Sequence, residues 1–395
     1  MDVSKQALKI HEENHGKLEI KSKLRVQTRE ELALAYTPGV AEPCKKIAEN
    51  PEDSYKYTSR GNLVAVISDG TAVLGLGNIG PKAAMPVMEG KSILFKEFAG
   101  IDSYPLVVDE TDTEKLIEII TSLQGSFGGI NLEDISAPRC FEIEKRLKET
   151  LEIPVFHDDQ HGTAIVVASG IINSLKIVKK EFSNIKVVLN GPGAAGTAII
   201  KLLQELGVKN IIACDEHGIL SPGRHHLTDE HKKDLAETTN PNYVTGSLKD
   251  AIVDADVFVG VSVAGALSPE MVETMASDPI VFAMANPVPE IMYEDAIKAG
   301  VKVMGTGRSD FPNQINNVLA FPGIFKGALE VRASQINEEM KKAAAYAIAG
   351  LISEEELNHE YVIPDAFDKR VVTAVSEAVK EAAKKTGVAR ITGGN

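Results

Sequence analysis

The chain alternates short apolar runs with longer segments in which apolar residues recur at helical spacing. Runs rich in β-branched residues predict strands over 63–68, 105–109, 129–132, 153–156, 185–189, 211–214, 256–260, 280–284 and 301–304. Helices are predicted over 1–30, 93–99, 113–123, 138–150, 163–179, from Gly196 to Leu206, and in a region from Phe321 onward that includes 343–351. Strands that alternate with helices pair in parallel, so the pattern predicts an α/β fold.

A chain of 395 residues is long for a single hydrophobic core, so two domains are expected. The long apolar helix predicted from Thr163 carries the chain from the first group of strands to the second. We therefore expect an N-terminal α/β domain over 1–156. A Rossmann-like doubly wound parallel sheet is expected over 157–395, with the C-terminal helices packing back across the chain.

Two adjacent carboxylates, Asp158 and Asp159, follow the strand predicted over 153–156. A partly buried pair of like charges needs a cation or hydrogen-bond donors to compensate it. Successive side chains of a strand point to opposite faces, so the two aspartates could serve different roles from one strand end. A single Asp before a helix is often only a cap, but the pair between His157 and His161 favours a site.

A second acidic pair, Glu133 and Asp134, follows the strand predicted over 129–132. Parallel strands end along one edge of a sheet, where open α/β sheets bind ligands. Two acidic pairs at this edge predict a site for a hard cation, Mg²⁺ or Mn²⁺. His157 and His161 could instead form a zinc pair, but that arrangement needs a continuous helix, against which the extended residues before Asp158 argue.

A glycine-rich turn, residues 191–196, lies between the strand predicted over 185–189 and a helix. This is the context that G-x-G-x-x-G requires, since glycines permit the tight turn and bring a pyrophosphate close to the helix N-terminus. The predicted dinucleotide contacts are Gly191, Gly193, Ala194, Ala195 and Gly196. A second such run, 75–80, lacks an acidic residue about 20 positions on, and we interpret it as close backbone packing near a site.

Asp215 ends the next predicted strand, nineteen residues after Gly196. An acidic residue there is placed to accept hydrogen bonds from ribose hydroxyls, which favours NAD over NADP. His217 or Arg224 could tolerate a 2′-phosphate, so NADP remains the alternative.

Five further polar side chains stand out. Tyr36 precedes a rigid Pro-Gly turn, the kind of corner a reactive side chain needs, although such a tyrosine is often simply packed. Lys91 precedes an apolar run that could draw it inward. Asn286 stands at a strand end, and Asn316 and Asn317 lie in a polar loop. Amides there can orient a small polar substrate, although loop asparagines usually form turns.

Composition excludes several classes of protein. A net charge of −14 and a pI near 5.2 disfavour nucleic acid as a partner. The polar N-terminus has no apolar core of a signal peptide, and nowhere does the chain have about 18 apolar residues in a row. We therefore expect a cytoplasmic protein without membrane contact. Cys44, Cys140 and Cys214 have neither disulfide nor metal spacing and are expected to be ordinary buried thiols.

Seven motifs follow one another along the chain: Tyr36-Thr37-Pro38-Gly39, Leu74-Gly75-Leu76-Gly77, Gly90-Lys91, Glu133-Asp134, Asp158-Asp159-x-x-Gly162-Thr163, Asn286-Pro287 and Asn316-Asn317-Val318-x-x-Phe321-Pro322-Gly323. In this order they resemble the motifs of the malic enzymes over most of the chain, and the length of the chain resembles that of the short bacterial type. The resemblance implies oxidative decarboxylation of L-malate to pyruvate and CO₂ with NAD(P) and Mg²⁺ or Mn²⁺. It also suggests a homodimer, with a site that the partner subunit could complete.

The resemblance further implies a role for each residue. Glu133, Asp134 and Asp159 resemble the metal ligands of the family. Lys91 resembles its catalytic base and Tyr36 its catalytic acid, and Asp158 resembles the acidic neighbour of the catalytic centre. Asn286 and Asn317 resemble substrate contacts, with Asn316 beside them; Asn286 is also expected at the cofactor, with Gly191, Gly193, Gly196 and Asp215. Lys91 can act as a base only if its pKa falls from about 10.4 towards neutrality, and burial and a nearby dication would both lower it.

One position departs from the family pattern. Larger malic enzymes carry an Arg shortly before the Leu-Gly-Leu-Gly bend, where it grips a malate carboxylate, whereas this chain has Ala72. Lys82, Arg139 or a partner subunit could supply the missing cation; otherwise substrate affinity is weaker.

Three other functions share some of these features. A malolactic enzyme has the same motifs but releases lactate. An amino-acid dehydrogenase would share the two-domain layout but has no need for four strand-end carboxylates. A non-catalytic sensor of NAD or malate would not need acid, base, metal and cofactor elements together.

Overall fold

The computed structural model describes residues 3–73, 75–225, 227 and 229–393. Its strands are β1 (Leu63–Ser68), β2 (Asp102–Val107), β3 (Gly129–Leu132), β4 (Val155–His157), β5 (Lys186–Asn190), β6 (Asn210–Asp215), β7 (Gly218–Ile219), β8 (Val257–Gly260), β9 (Ile280–Ala283) and β10 (Val303–Thr306). Its helices are α1 (Val3–Glu13), α2 (Arg29–Ala35), α3 (Ala41–Glu49), α4 (Ser54–Tyr57), α5 (Pro81–Ala99), α6 (Thr113–Ser122), α7 (Arg139–Thr150), α8 (Asp158–Val178), α9 (Ala194–Glu205), α10 (Glu230–Thr238), α11 (Leu248–Ala251), α12 (Pro269–Val272), α13 (Tyr293–Lys298), α14 (Phe321–Glu330), α15 (Glu338–Ala349) and α16 (Arg370–Lys385).

The first sheet has the strand order β2-β1-β3-β4 and is parallel throughout. The chain leaves β1 towards β2 on one side and later adds β3 on the other side. The strand order therefore reverses between β1 and β3, and a crevice opens there at the carboxyl ends of the strands. Asp69 follows β1 and Glu133 follows β3, so the second predicted acidic pair, Glu133 and Asp134, lies at this crevice.

The second sheet has the order β10-β9-β8-β5-β6-β7. Its strands are parallel except for the two-residue β7, which pairs antiparallel with β6. The order reverses between β5 and β8, which is the Rossmann-like arrangement and confirms the predicted fold class. Asn190 pairs with Gly260 across this reversal point, so the glycine turn after β5 opens onto the second crevice. The predicted division into domains after residue 156 stays a prediction.

Helix α8 joins the two sheets. It begins at Asp158 directly after β4, five residues earlier than the pattern predicted. Two carboxylates in the first turn of a helix interact favourably with the helix dipole, so no separate turn is needed between strand and helix. Among the described residues this is the one helix long and apolar enough to cross a membrane, and 72% of its apolar window is buried inside the protein. It is therefore a core helix by its surroundings.

The largest apolar core runs continuously across both sheets. Phe95 of α5 packs edge-on against Phe321 and Phe325 of α14, with ring centroids 4.8 and 5.3 Å apart. Such pairs contribute about 1 kcal/mol each beyond the area they bury. Gly323 allows α14 to approach α16 closely, since a Cβ there would lie 2.7 Å from that of Val375. The C-terminal helices thus reach back onto the helix that carries Lys91.

The N-terminal segment differs from its prediction. A helix was expected over 1–30, but α1 ends at Glu13 and regular structure resumes only at Arg29. His15 and Gly16 both adopt positive φ, which terminates α1. None of the residues of α1, α2 or α3 is buried. Cys44 is exposed, so the expectation of a buried thiol is wrong there, whereas Cys140 and Cys214 are buried.

Candidate functional site

A cavity of about 660 Å³ lies between the carboxyl ends of the two sheets. Its walls come from the bend after β1, the segment after β3, the start of α8, the glycine turn, and the loops after β8, β9 and β10. The predicted site residues that line it are Asp134, Asp159, Ala194, Ala195, Asn286, Asn316 and Asn317. The volume and the mixed lining suit a small-molecule site.

Lys91 lies at the centre of a buried ionic group beside this cavity. Its Nζ donates to Asp158 Oδ2 at 2.7 Å and lies 2.8 Å from Glu133 Oε1. The ammonium also sits 4.4 Å from the centroid of the Phe321 ring. Helix α5, strand β3, helix α8 and helix α14 therefore meet at one side chain, which the sequence could not show.

The surrounding carboxylates set the protonation of this group. Burial would lower the pKa of Lys91, but Asp158 and Glu133 together outweigh it and raise that pKa above its ordinary value. The lowered pKa that a base at this position needs stays a prediction, because it depends on a dication beside these carboxylates. Burial raises the pKa of Asp158 to about 7 although Lys91 opposes it, and it likewise raises the pKa of Glu133.

Asp158 and Asp159 lie in the first turn of α8 rather than at a strand end, and the N-cap is His157. Their side chains still diverge, because consecutive helical residues are about 100° apart. Asp158 is fully buried against Lys91, whereas Asp159 lines the cavity and accepts from the Asp134 N–H at 2.7 Å. The two aspartates can therefore still serve separate roles, because the geometry of a helix rather than that of a strand directs their side chains apart. Gly162 is required one turn later, since a Cβ there would lie 1.9 Å from Asp158 Oδ1.

The predicted metal ligands have suitable chemistry, since Glu133, Asp134 and Asp159 offer hard oxygen donors at neighbouring element ends. Burial raises the pKa of Asp159 to about 6, and Asp158 Oδ1 is buried with no hydrogen-bond partner in the part of the chain that the structure describes; both indicate uncompensated negative charge. The three carboxylates do not converge on a point, however: in residues 3–73, 75–225, 227 and 229–393 no group of three His, Cys, Asp or Glu forms a metal cluster. The metal site therefore stays a prediction.

The three asparagines are arranged differently from one another. Asn317 Nδ2 donates to Asp158 Oδ2 at 2.5 Å, so this residue connects the cavity wall to the Lys91 group. Asn316 Oδ1 accepts from the Val318 N–H at 3.0 Å, which is the turn-forming role that loop asparagines usually have. Asn286 is exposed on the cavity wall, with its amide beside Gly307.

A second cavity of about 630 Å³ adjoins the glycine turn. It is lined by Asn190, Gly191, Asp215, Glu216, His217, Gly218, Gly246, Ser247, Leu248, Ser262, Val263 and Ala266. Gly191 has φ +101°, and a Cβ there would lie 2.4 Å from the Val261 carbonyl oxygen, so glycine is required. Ser262 lines both cavities, and one elongated ligand can therefore span them past the N-terminus of α9.

Asp215 lies at the end of β6, as predicted, but its carboxylate is fully engaged. Arg224 donates to both oxygens, at 2.8 and 2.7 Å; Lys232 donates to Oδ2 at 3.0 Å, and the His217 N–H to Oδ1 at 2.9 Å. Burial would raise the pKa of Asp215, but these donors, Arg224 foremost, hold it at about 2.

Two predicted features lie outside the assembled site. Tyr36 is 66% exposed and lines neither cavity, so within one chain it is not brought to Lys91. Leu74, part of the Leu-Gly-Leu-Gly motif, lies outside the described residues, while Gly75 lines the first cavity, as expected for close packing near a site.

The missing cation near Ala72 has no replacement on the cavity wall. Of the described residues that line it, none is a lysine or an arginine. Arg139 instead donates to Asp69 Oδ2 at 2.9 Å, and Lys82 is exposed on α5.

Sequence reasoning missed two buried groups. Glu144 accepts from the His157 N–H at 3.1 Å and from His161 Nε2 at 2.8 Å, while Lys341 Nζ lies 3.0 Å from His161 Nδ1. Glu290 is fully buried and accepts from the N–H groups of Ser262 and Ala285, at 2.7 and 3.0 Å. The run of acidic and histidine residues at 157–161 was a sequence signal for the group around Glu144. No sequence signal indicated the group around Glu290.

A Rossmann-type sheet whose glycine turn and switch-point crevice join a carboxylate-rich cavity defines a dinucleotide-binding enzyme of the oxidoreductase class. The family description "Malic enzyme, N-terminal domain" matches residues 15–148, and "Malic enzyme, NAD binding domain" matches residues 160–384. The chain belongs to the malic enzyme family.

Individual relatives agree along the whole length. The bifunctional malic/malolactic enzyme of Bacillus subtilis is 62% identical over 99% of this chain and 96% of its own. The NAD-dependent malic enzyme of Geobacillus stearothermophilus is 60% identical over 95% of this chain and 78% of its own. The crystal structure of malic enzyme from Pyrococcus horikoshii superposes with a TM-score of 0.95 at 48% identity, covering 98% of this chain and 92% of that one.

Proposed function

We propose that this chain catalyses the oxidative decarboxylation of L-malate to pyruvate and CO₂ with reduction of NAD. The observation that carries the proposal is the buried Lys91–Asp158–Glu133 group, joined through Asn317 to a cavity that continues into the dinucleotide crevice. A proton-transfer group beside a hydride acceptor is what oxidation of a 2-hydroxy acid requires.

We propose Glu133, Asp134 and Asp159 as the residues that would hold Mg²⁺ or Mn²⁺. A hard dication held there would supply positive charge to the C2 oxygen of the substrate, during the oxidation and when the C3–C4 bond breaks. Decarboxylation of added oxaloacetate would then be expected as well.

Lys91 and Asp158 act as one proton acceptor. The C2 hydroxyl proton passes to the pair as hydride leaves C2 for the nicotinamide. Lys91 Nζ donates to Asp158 Oδ2 at 2.7 Å, and burial raises the pKa of this carboxyl, so the pair can take up the proton while Lys91 holds Asp158 in place. Asn317 orients Asp158, and Asn286 and Asn316 are proposed to contact the substrate, Asn286 also meeting the nicotinamide end of the cofactor.

Tyr36 is proposed as the acid that protonates C3 of the enol, delivered by a partner subunit in a homodimer; its proton is then replaced by the one that the Lys91–Asp158 pair took from the C2 hydroxyl. Its 66% exposure supports this, as do the exposed apolar side chains along the same segment, among them Leu24, Leu32 and Leu34. Exposed apolar residues in one stretch are typical of a surface that another chain covers. The partner subunit is also the proposed source of the cation absent near Ala72.

NAD is the proposed dinucleotide. The second cavity is lined by Asp215 and Glu216, and its described lining residues include no lysine or arginine, so no basic side chain on its wall is placed to bind a 2′-phosphate. A cytoplasmic location is proposed with it, in keeping with the acidic charge and the buried position of α8.

NADH formation from L-malate, Mn²⁺ and NAD tests the proposal, with pyruvate assayed at the end. We expect NADH and pyruvate in equal amounts, and no reaction when EDTA is present. NADH without pyruvate would contradict the decarboxylation, and undiminished turnover in EDTA would contradict the metal.

A second candidate function is the malolactic reaction, favoured by the bifunctional Bacillus subtilis relative alone. It predicts lactate without net NADH. Lactate as the main product would replace the first proposal.

A further inference from the structure

The Asp215 carboxylate has no acceptor capacity left for a ribose. An ionised carboxylate offers about four lone-pair directions. Here Oδ1 accepts from Arg224 Nη1 and the His217 N–H, and Oδ2 accepts from Arg224 Nη2 and Lys232 Nζ. An Asp at this position selects NAD only insofar as it can bind the ribose hydroxyls and repel a 2′-phosphate. Both abilities are reduced when its oxygens are filled.

The charges at this end of the crevice also balance. Asp215 and Glu216 carry one negative charge each, and Arg224 and Lys232 one positive charge each; Lys232 lies 3.7 Å from Glu216 Oε1. Arg224 and Lys232 are largely buried, with side chains 13% and 19% exposed, so bulk water screens their charges only partly. A 2′-phosphate, with nearly two negative charges, therefore enters a group without net charge rather than an acidic one.

Arg224 is held in this position by more than Asp215. Its Nη1 also donates to the carbonyl oxygen of Gly218 at 2.9 Å, at the antiparallel β7 turn that borders the cavity. Among the described residues its buried Nε has no hydrogen-bond partner. The guanidinium does not line the cavity and is thus fixed behind the carboxylate.

We propose that Arg224 and Lys232 are positioning residues that hold Asp215 away from ribose recognition, so that the chain prefers NAD only weakly and also binds NADP. This deepens the proposed function and rests on its dinucleotide site. Selectivity is then a property of the group of three side chains rather than of Asp215 alone. Removing either cation should sharpen the preference for NAD, and removing the carboxylate should reverse it.

Binding of NADH and NADPH, followed by nicotinamide fluorescence, tests this without malate or metal. The chain has no tryptophan, so protein emission interferes little. For the unmodified protein we expect the two Kd values to lie within about tenfold of each other. Arg224→Gln and Lys232→Met should each raise the ratio of the NADPH Kd to the NADH Kd by about tenfold, because a charged hydrogen-bond partner is lost. Asp215→Asn should bring the ratio below one.

Matched controls separate this effect from a loss of fold. Lys233→Met removes the neighbouring lysine, whose partner is the exposed Glu230, and Arg370→Gln removes an Arg–Asp pair at the start of α16. Neither should change the ratio. A purely structural role of Arg224 and Lys232 would weaken both ligands equally, and an unchanged ratio would overturn the proposal. A ratio that falls in Arg224→Gln, or binding of neither dinucleotide, would overturn it too. An unchanged ratio in a chain that still oxidises malate leaves the proposed function standing.

Discussion

Lys91 Nζ lies 2.7 Å from Asp158 Oδ2, although the two residues are 67 positions apart and neither is appreciably exposed to solvent. The contact is made because α5 and the first turn of α8 both border the crevice at the carboxyl edge of the first sheet. A buried ammonium paired with carboxylates is costly to assemble and strongly destabilising to break on one side only. The pair therefore links the chemistry of the site to the stability of the fold.

Lys91→Met should reduce turnover of malate by about 100-fold or more, because the proton acceptor loses its contact group. It should also lower the free energy of unfolding by about 3 kcal/mol, since Asp158 and Glu133 lose their cation. Steady-state kinetics and urea unfolding measure the two effects. The double variant Lys91→Met, Asp158→Asn should regain stability but not turnover. The control is Lys96→Met, on the exposed side of the same helix, which should leave turnover unchanged. Wild-type turnover in Lys91→Met would remove Lys91 from the mechanism.

Tyr36→Phe should lower turnover by about 100-fold while the melting temperature stays within about 1 °C, because the hydroxyl is exposed and the ring is kept. Tyr243→Phe, at an equally exposed tyrosine, should change neither quantity. Mixing Tyr36→Phe with an inactive Lys91→Met chain tests delivery from a partner: hybrid dimers should regain part of the activity. No recovery on mixing would mean that Tyr36 does not act in the site of another subunit.

Glu290→Gln should weaken both NADH binding and malate affinity. One oxygen of Glu290 accepts from Ser262 and the other from the Ala285 N–H, so a side-chain amide would face a donor on one side. Leaving a buried donor unsatisfied costs about 1–3 kcal/mol. The loops after β8 and β9, which both line the first cavity, would lose their common anchor. Thermal unfolding and the malate KM measure the effect; an unchanged KM with a lowered melting temperature would limit Glu290 to stability.

Gly191→Ala and Gly207→Ala separate backbone strain from close packing. Both glycines have φ +101°, but a Cβ at Gly191 would lie 2.4 Å from the Val261 carbonyl oxygen, whereas nothing lies within 4 Å at Gly207. Gly207→Ala should cost about 1–2 kcal/mol of strain. Gly191→Ala should cost more and should abolish NADH binding, since the turn must move. Equal losses of stability and intact NADH binding would show that the close approach at Gly191 is not needed.

Acid should destabilise the protein through His161. Burial lowers the pKa of His161 to about 3, so the folded chain leaves it uncharged while the unfolded chain protonates it below about pH 6.5. Its contribution to stability is present above that pH and is lost as the pH falls from about 6.5 towards 3. His161→Gln should reduce the slope of unfolding free energy against pH in this window by up to about 1.4 kcal/mol per unit. His11→Gln, on the exposed α1, should leave the slope unchanged.

Local patterns in the chain were enough to predict much of the fold. Strands β1 and β3 lie where the β-branched runs placed them, and the glycine turn at Gly191 sits between strand and helix as the motif required. The acidic pairs lie near the crevice because the strands that precede them, β3 and β4, end at the same edge of a parallel sheet. These features depend on residues close together in sequence, so periodicity and turn chemistry determine them.

Contacts between distant segments could not be predicted in this way. The pKa of Lys91 depends on Asp158 and Glu133, and the hydrogen bonds of Asp215 depend on Arg224 and Lys232, so in both cases the fold brings in neighbours that no local pattern shows. The exposure of Tyr36 likewise depends on the tertiary structure, because it lies between α2 and α3, neither of which has a buried residue. The sequence by itself determined which chemical groups the protein has and at which sheet edge they lie. Only the tertiary structure decided which charges touch, because electrostatic energies depend on distance and burial and not on order along the chain.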